Sequence, residues 1–282
     1  MSYIKDQLNH TLKSFNIDLG EENYSGKVRE NFYLNDKIVM VTTDRVSAFD
    51  HILGTIPFKG EVLTQIAKFW FERTRDIAPN HYLENPDPQV LLTLRAKPLP
   101  IEIIIRGYIT GSLWRDYTNG IDDQYGFKIP SGMKKNQKFK KQIITPTTKA
   151  EYGQHDEAIS KNEIISGLVE KNIYEKAEEY ALELFSEGQK WSSGRGLILV
   201  DTKYEFGMIG DELYVIDEIH TPDSSRYWIA DEYESRFSAE NDQLMLDKEN
   251  IRQWLLKQGF SGEGTPPKLT DEIRILLSEK YM

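Results

Sequence analysis

Residues 200–207, VDTKYEFG, decide how the fold of this chain is interpreted. Their β-branched and aromatic residues predict a strand, in which successive side chains point to opposite faces. Asp201, Lys203 and Glu205 then share one face, while the apolar side chains share the other. The segment therefore predicts a row of acid, base and acid on the side of the strand that faces away from the core.

The following segment, ELYVIDE at residues 212–218, predicts the second strand of a hairpin. We expect a three-residue turn at 208–210, because its last residue is a glycine that can take a positive φ. This turn pairs Asp201 with Asp217 and keeps both on the face of Glu205. A two-residue turn would move Asp217 to the opposite face.

Carboxylates that face each other across two strands repel, so a cation is expected between them. Lys203 is one candidate. Mg²⁺ is another, since it is typically bound by one or two carboxylates together with substrate phosphates. A solvent-exposed ladder of ion pairs is the alternative, but Glu218 and the polar run at 220–226, HTPDSSR, favour a binding site.

The composition excludes several classes of protein. A formal net charge of -10 over 282 residues disfavours nucleic acid as a partner, because phosphate backbones bind basic surfaces. The absence of cysteine excludes disulfides, thiolate metal sites and thiol nucleophiles. The sequence shows neither a signal-like apolar start nor a membrane-length apolar run, so we expect a soluble cytoplasmic protein.

The order of predicted elements indicates an α+β fold. The first third reads as mostly antiparallel strands, ending in IEIIIR at 101–106, which is typical of a strand buried on both faces. Ser160 and Glu163 form a capping box before an apolar helical pattern. We expect a mobile loop at 134–141, and helices at 4–15, 63–75, from 111, from 160 to near 188 with a break at 167–172, at 248–258 and from about 270.

Three polar segments are candidate anion sites. They are GKVRE at 26–30, RGYITGS at 106–112 and TPDSSR at 221–226, of which the last two are interpreted as helix starts whose N–H groups bind anions. An ordinary turn or a simple helix cap is an equally good local interpretation of the first two. The loop at 145–156 adds Lys149, His155 and Asp156.

Taken together, six motifs resemble the SAICAR synthetase (phosphoribosylaminoimidazole-succinocarboxamide synthase) family. In chain order they are SGKVRE, TDRVSAFD, LPIEIIIRGYITGS, PTTKAE with HD, VDTKYEFG and DEIHTPDSSRYW. The resemblance implies a small β-rich N-terminal domain, here residues 1–105, and a larger ATP-grasp-like α+β domain, residues 106–282, with the ATP cleft between them.

The resemblance also implies an activity. The chain would be an ATP-dependent ligase that joins L-aspartate to the carboxylate of carboxyaminoimidazole ribotide (CAIR) in de novo purine biosynthesis. Its products would be SAICAR, ADP and phosphate, and it would need ATP and Mg²⁺. No nucleic acid, membrane or obligate protein partner is implied.

The family motifs assign roles to individual residues. The nucleotide would be bound by Gly26, Lys27, Val28, Arg29, Glu102, Lys149 and Asp217. The other substrates would be bound by Arg106, Ser112, Asp223, Ser224, Arg226, Ser47 and Asp50. Catalysis would depend on Lys203, Asp201 and Asp156, and the metal would be held by Glu205, Asp217 and Asp201.

Two other classes of function remain alternatives at this point. A kinase sharing such a cleft would need a base for its hydroxyl acceptor, and no catalytic-loop motif supplies one. A non-catalytic nucleotide-binding protein would not need the metal carboxylates, and all of them are present.

Overall fold

The structure, a computed structural model, describes residues 2–19, 23–149, 156–246 and 248–282. The N-terminal part contains α1 Ser2–Asp6, β1 Asn23–Ser25, β2 Arg29–Leu34, β3 Lys37–Thr42, β4 Arg45–Ala48, β5 His51–Thr55, α2 Lys59–Arg73, β6 Tyr82–Asp87 and β7 Val90–Leu94. Five of these strands form an antiparallel sheet in the order β1-β2-β3-β7-β6, and β4 pairs separately with β5. The predicted β-rich first third is therefore confirmed.

The rest of the described chain is built around a second antiparallel sheet. It contains β8 Lys97–Tyr108, α3 Gly111–Thr118, β9 Lys138–Ile144, β10 Thr147–Thr148, α4 Lys161–Gly167, α5 Lys171–Ser193, β11 Leu197–Ile209, β12 Glu212–Ile216, β13 Ser225–Ile229, α6 Ala230–Ser238, α7 Glu249–Lys257 and α8 Asp271–Tyr281. The long strands β8 and β11 pair at its centre. Two short strands, β10 and β9, follow one another along β8, and β13 and β12 do the same along β11.

The apolar face of this central pair is the core of the molecule. Ile103 and Ile105 of β8 are fully buried, and so is Tyr204 of β11. Helix α5 covers them with Ala181 and Phe185, both also fully buried. Because the core takes one face of β8 and β11, the polar side chains of the opposite face are available for a site.

The hairpin register differs from the prediction. The turn has two residues, since Ile209 pairs with Glu212, and Glu205 pairs with Ile216. The expected three-residue turn and the Asp201–Asp217 pair are wrong. Gly210 does have a positive φ of 59°, but it supplies this at the first position of the turn and not at the last.

Several predicted elements also change. The first helix, predicted to reach residue 15, ends at Asp6. The run at 134–141, predicted as a loop, enters strand β9 at Lys138. Residues 221–224, predicted as a helix start, form a turn before β13. Helix α5 continues past Gly188 to Ser193. A Cβ at Gly188 would lie 2.5 Å from the His220 ring, so this glycine serves close packing and does not end the helix.

Other predictions are confirmed. Ser160 and Glu163 form the reciprocal capping box of α4, and Thr270 caps α8. Among the described helices, none combines the length and the apolar content needed to span a membrane.

Candidate active site

Lys203 is the centre of a half-buried charged cluster on the polar face of β11. Its ammonium group lies 2.8 Å from Glu102 Oε1 on β8, contacts Glu205 on its own strand, and lies 3.9 Å from Asp217 Oδ2. Burial alone would lower the pKa of Lys203, but the three carboxylates outweigh it and hold that pKa well above its ordinary value. Lys203 is therefore a fixed positive charge.

Asp217 reaches this cluster because of an unusual backbone conformation. It directly follows the last residue of β12 and has a φ of 64°, in the left-handed region that non-glycine residues rarely occupy. The chain leaves the strand alternation there, which is how the side chain returns to the face of Lys203 despite the two-residue turn. Burial raises the Asp217 pKa to about 6; Arg29 opposes that rise, and Glu205 adds to it.

Arg29 closes the cluster from the N-terminal sheet. Its guanidinium donates to Asp217 Oδ1 at 2.6 Å and to Glu218 Oε2 at 2.5 Å. Lys27, two residues earlier, is the other cation of the segment at 26–30. In the structure Lys27 instead pairs with Asp50 at an exposed position, so the two cations of this segment have separate partners.

Arg45 holds the loop that carries these cations. Its guanidinium donates to the backbone carbonyls of Gly26 at 2.8 Å and Lys27 at 3.1 Å, and it pairs with Glu30 in the following strand. The next carbonyl, that of Val28, accepts from the Thr43 amide at 2.9 Å. The loop is thereby fixed through its backbone carbonyls and not through the side chains of Lys27 and Arg29.

A second cluster lies further along the polar face of β11. Asp201 Oδ2 accepts from Arg226 at 2.6 Å and from Arg106 at 3.3 Å, since Asp201 faces Arg106 on β8 and Arg226 on β13. Arg106 also donates to Thr145 Oγ1 at 2.8 Å. Burial lowers the Arg106 pKa, and Asp201 partly offsets this. Two arginines thus flank one carboxylate in a buried position.

Helix α3 begins beside this arginine pair. A Cβ at Gly111 would lie 2.4 Å from Arg226 Nη2, and Gly111 has a φ of 59°, so a larger residue here would be strained and would displace the guanidinium. Ser112 is the next residue of the helix. The predicted segment 106–112 therefore does bring an arginine and a helix start together.

The turn at residues 221–224 is fixed from two directions. Ser224 contributes its backbone carbonyl, which accepts from the Lys203 amide at 2.9 Å and joins the turn to β11. Asp223 is held between Lys59 Nζ at 2.8 Å and the Tyr281 hydroxyl at 2.6 Å. Burial would raise the Asp223 pKa, but Lys59 holds it below its ordinary value.

The sequence that forms this polar face and the segments around it matches a known protein family. The sequence profile described as SAICAR synthetase matches residues 22–268 of this chain. The chain belongs to the SAICAR synthetase family. A phosphoribosylaminoimidazole-succinocarboxamide synthase of Bacteroides fragilis is 48% identical over 277 residues, which are 96% of this chain and 88% of that protein. The corresponding protein of Azobacteroides pseudotrichonymphae is 50% identical over 264 residues, 92% of this chain and 81% of that one.

Solved structures agree with this family. The SAICAR synthase of Saccharomyces cerevisiae complexed with SAICAR superposes with a TM-score of 0.81 at 30% identity, covering 96% of this chain and 95% of that one. A SAICAR synthetase in complex with ADP gives a TM-score of 0.67 at 22% identity, covering 88% of this chain and all of that one, and shares the fold.

Of the remaining residues suggested by the family motifs, Lys149 and Asp156 lie beside the Lys203 cluster. Lys149 pairs with Glu205, and the charge of Asp156 raises the Glu102 pKa, after the larger contribution of burial. Ser47 is buried in β4. His155 lies outside the described residues.

The carboxylates fit a nucleotide-bound Mg²⁺ better than a preformed metal cage. Over the described ranges, no group of three or more His, Cys, Asp or Glu side chains has the arrangement of a metal site. Asp201 is engaged by two arginines and Asp217 by Arg29 alone, while burial and Glu205 disfavour the ionisation of Asp217. An added cation would favour that ionisation, and Mg²⁺ needs only one or two protein carboxylates when phosphates complete its shell.

Lys59 and Tyr281 were not predicted from sequence. Their partner Asp223 was expected to lie near the substrate, but its carboxylate is buried between them. Neither residue belongs to a recognisable motif, and both are far from Asp223 along the chain, so no local pattern could have revealed the contact.

Proposed function

We propose that this chain catalyses the ATP-dependent ligation of L-aspartate to the carboxylate of CAIR, giving SAICAR, ADP and phosphate in purine biosynthesis. Family membership and the names of relatives at 48% identity support this reaction. The structural observation that carries it is the position of Lys203. This lysine is held among Glu102, Glu205 and Asp217, on the same strand face as the arginine pair around Asp201.

We assign the Lys203 end of this face to ATP. Arg29 extends from the loop that begins at Gly26, and the loop backbone is fixed by Arg45, so it is suited to cover phosphates. Lys149 and Lys203 supply two further cations. A triphosphate bound here meets positive charges that are already in place, which lowers the cost of reorganisation during phosphoryl transfer.

We assign Mg²⁺ to Asp217 and Glu205. When bound, the ion neutralises charge on the transferred phosphoryl group. The role of these two residues is to supply hard oxygen ligands. Lys203 and Lys149 hold the Glu205 pKa below its ordinary value against the effect of burial. Asp201 serves this proposal better as the carboxylate that orients Arg106 and Arg226.

We assign the arginine end to the ribotide. Arg106 and Arg226 present planar guanidinium groups, which bind phosphate and carboxylate groups in a defined orientation. Ser112 follows Gly111, the residue that lies against Arg226, and adds a hydroxyl donor in the first turn of α3. With ATP at one end and the ribotide at the other, the reacting carboxylate would lie along β11 near Lys203.

The chemistry requires activation of a carboxylate, because a carboxylate oxygen is a poor leaving group. Transfer of the γ-phosphoryl group of ATP would make an acyl phosphate. The aspartate amine, once deprotonated, then attacks the carbonyl carbon, and phosphate leaves with the electrons of the C–O bond. Lys203 stays protonated, so its role is to stabilise negative charge and to position the carboxylate, not to act as a base. We place Asp156 in the same cleft, since its charge reaches Glu102.

The larger organisation of the molecule remains a set of predictions. We infer a division near residue 105 with ATP between the two parts, although β8 continues across that point as one strand. We also infer a cytoplasmic location, and small molecules as the only partners that the reaction needs.

Phosphate release tests the proposed reaction directly. Purified protein with Mg²⁺ and ATP should release phosphate rapidly only when CAIR and L-aspartate are both present, and SAICAR should accumulate in equal amount. Reactions that lack one substrate are the controls. A rate that does not rise when both substrates are added would refute the proposal.

A further inference from the structure

His81 joins the two sheets at a point beside the Lys203 cluster. Its backbone amide donates to the Val215 carbonyl of β12 at 3.1 Å, and its own carbonyl accepts from the Leu94 amide, at the end of β7, at 2.7 Å. Its ring packs edge-on against Phe71 of α2, with 5.2 Å between the ring centroids. His81 is 3% exposed. The residue is therefore held by both sheets, and its ring is fixed by packing.

The ring of His81 binds the backbone of Asp217. This hydrogen bond favours the protonated ring, so the ring donates and the carbonyl group of Asp217 accepts. Among the described residues, the buried Nε2 atom of His81 has no hydrogen-bond partner, which leaves Nδ1 as the donor. The accepting carbonyl belongs to the peptide group that joins Asp217 to Glu218. Arg29 binds the side chains of these same two residues.

His81 is a neutral donor in this position. Burial, and after it the charge of Arg29, lower the pKa of His81 to about 3, while Glu205 and the bond to Asp217 oppose this. The ring therefore holds a backbone group without adding a positive charge. An added charge would compete with a metal ion for the carboxylates of this cluster.

The bond acts on a backbone conformation that needs support. Asp217 has a φ of 64°, which is disfavoured for every residue that carries a Cβ, and it lies one residue beyond the last residue of β12. Arg29 holds the side chain, at 2.6 Å from Oδ1, but a bound metal ion would take over part of that carboxylate. The bond from His81 is made to the backbone, so it persists when the carboxylate changes partners.

We propose that His81 is a positioning residue, which holds the carboxylate of Asp217 in the Lys203 cluster through its bond to the Asp217 backbone. The ring is buried and acts through Asp217, so His81 is not a catalytic residue. This inference rests on the proposed function, in which Asp217 is a ligand of Mg²⁺. None of the motifs that indicated the site from sequence contains residue 81.

Calorimetric titration of ADP, with Mg²⁺ and with EDTA, tests this role without turnover. The variant H81L removes the donor and keeps a side chain of comparable size. We expect its affinity for ADP in Mg²⁺ to fall about tenfold, as is typical when the partner of a metal ligand is lost, and its affinity in EDTA to change less than about twofold. H81N should remain within about threefold of the wild type in both, because its amide nitrogen is bonded to Cγ as Nδ1 is.

F71L is the matched control for packing. It changes the contact with the same ring and leaves the donor in place, so the ratio of the two ADP affinities should equal that of the wild type. Equal losses in Mg²⁺ and in EDTA for H81L would overturn the proposal, as would an H81N variant as impaired as H81L or an equal change of the ratio in F71L. Unchanged binding by H81L would overturn it as well.

Nitrogen NMR of the wild-type protein tests the hydrogen bond without relying on a variant that folds poorly. The chain has five histidines, and the ring signals of His81 are those that disappear in H81N. At pH 7 the spectrum should show a neutral ring with the proton on Nδ1. A proton on Nε2 instead would overturn the proposal. Failure of the ligase reaction, with this tautomer and the expected pattern of ADP binding, would count against the proposed function alone.

Discussion

The hydroxyl of Tyr281 gives the sharpest test of how the C-terminal helix supports the active site. It donates to Asp223 Oδ1 at 2.6 Å, while Lys59 binds Oδ2 at 2.8 Å and lies 5.5 Å from the centre of the Tyr281 ring. Lys59 is fully buried, and Tyr281 is 5% exposed. The variant Y281F therefore removes one donor from a buried carboxylate and leaves the packing of the ring intact.

The expected cost follows from the burial and charge of that carboxylate. A hydrogen bond to a charged group contributes about 1.5–3 kcal/mol to stability. The loss on mutation is larger when the group left without its partner is buried. We expect Y281F to lower the free energy of unfolding by about 2 kcal/mol at neutral pH. Because the turn that carries Asp223 leads directly into β13, which carries Arg226, the KM of a non-nucleotide substrate should rise as well.

Urea unfolding measures the first effect, and Y214F is its matched control. The Tyr214 hydroxyl also donates to a carboxylate, that of Glu212 at 3.0 Å, but on an exposed hairpin. We expect Y214F to change the free energy of unfolding by less than about 0.5 kcal/mol. Equal losses in the two variants would refute the reasoning, because the chemical change is the same and only burial differs.

The pH dependence of the loss has a definite sign. The Asp223 pKa is held below its ordinary value of 3.8, so its ionised form contributes stability above that pH and loses it as the pH falls. The difference between wild type and Y281F should thus be constant from about pH 6 to 8 and shrink below about pH 4. A difference that grows on acidification would contradict an ionised Asp223.

Three further outcomes are expected. D217N should keep its circular dichroism spectrum, but its kcat/KM should fall at least about 100-fold, because the variant loses a group that acts on developing charge. Normal turnover by D217N would show that Asp217 is not a ligand of the metal. G111A should raise the KM of CAIR about tenfold, because the added Cβ would lie 2.4 Å from the Arg226 guanidinium. G120A is its control: Gly120 also has a positive φ but has open space around it, so the KM of CAIR should not change. Chelation of Mg²⁺ should stop phosphate release and added Mg²⁺ should restore it, and release that continues at full rate in the chelator would exclude the ion from the reaction.

The strand alternation of β11 could be predicted because it depends only on the backbone. A period of two places Lys203 and Glu205 together in any strand, and the structure confirms their contact. The hairpin register could not be predicted in the same way. Gly210 satisfies a two-residue turn as well as a three-residue one. The left-handed conformation of Asp217 has no local sequence signal, and its partner Arg29 comes from another sheet.

The arginine cluster shows a second limit of the sequence. Arg106 and Arg226 were predicted as anion anchors, but their common partner Asp201 was predicted to face Asp217. The partner of Asp201 depends on which strands lie on either side of β11. That order places β8 on one side and β13 on the other, and it follows from packing of the whole sheet and not from a local pattern.

Asp223 is held by residues distant in the chain, and one of them, Tyr281, connects the C-terminal helix α8 to the site. Lys59 precedes Asp223 by 164 positions, and Tyr281 follows it by 58. A lysine buried this completely is costly unless it is paired, and a carboxylate buried beside it is costly for the same reason. The charges of Lys59 and Asp223 compensate each other in this buried position. The Tyr281 hydroxyl donates to Asp223 Oδ1, the oxygen that Lys59 does not contact. Removing the last turn of α8 would therefore disturb the turn at 221–224, and through its bond to the Lys203 amide the disturbance would extend to the strand on which the chemistry depends.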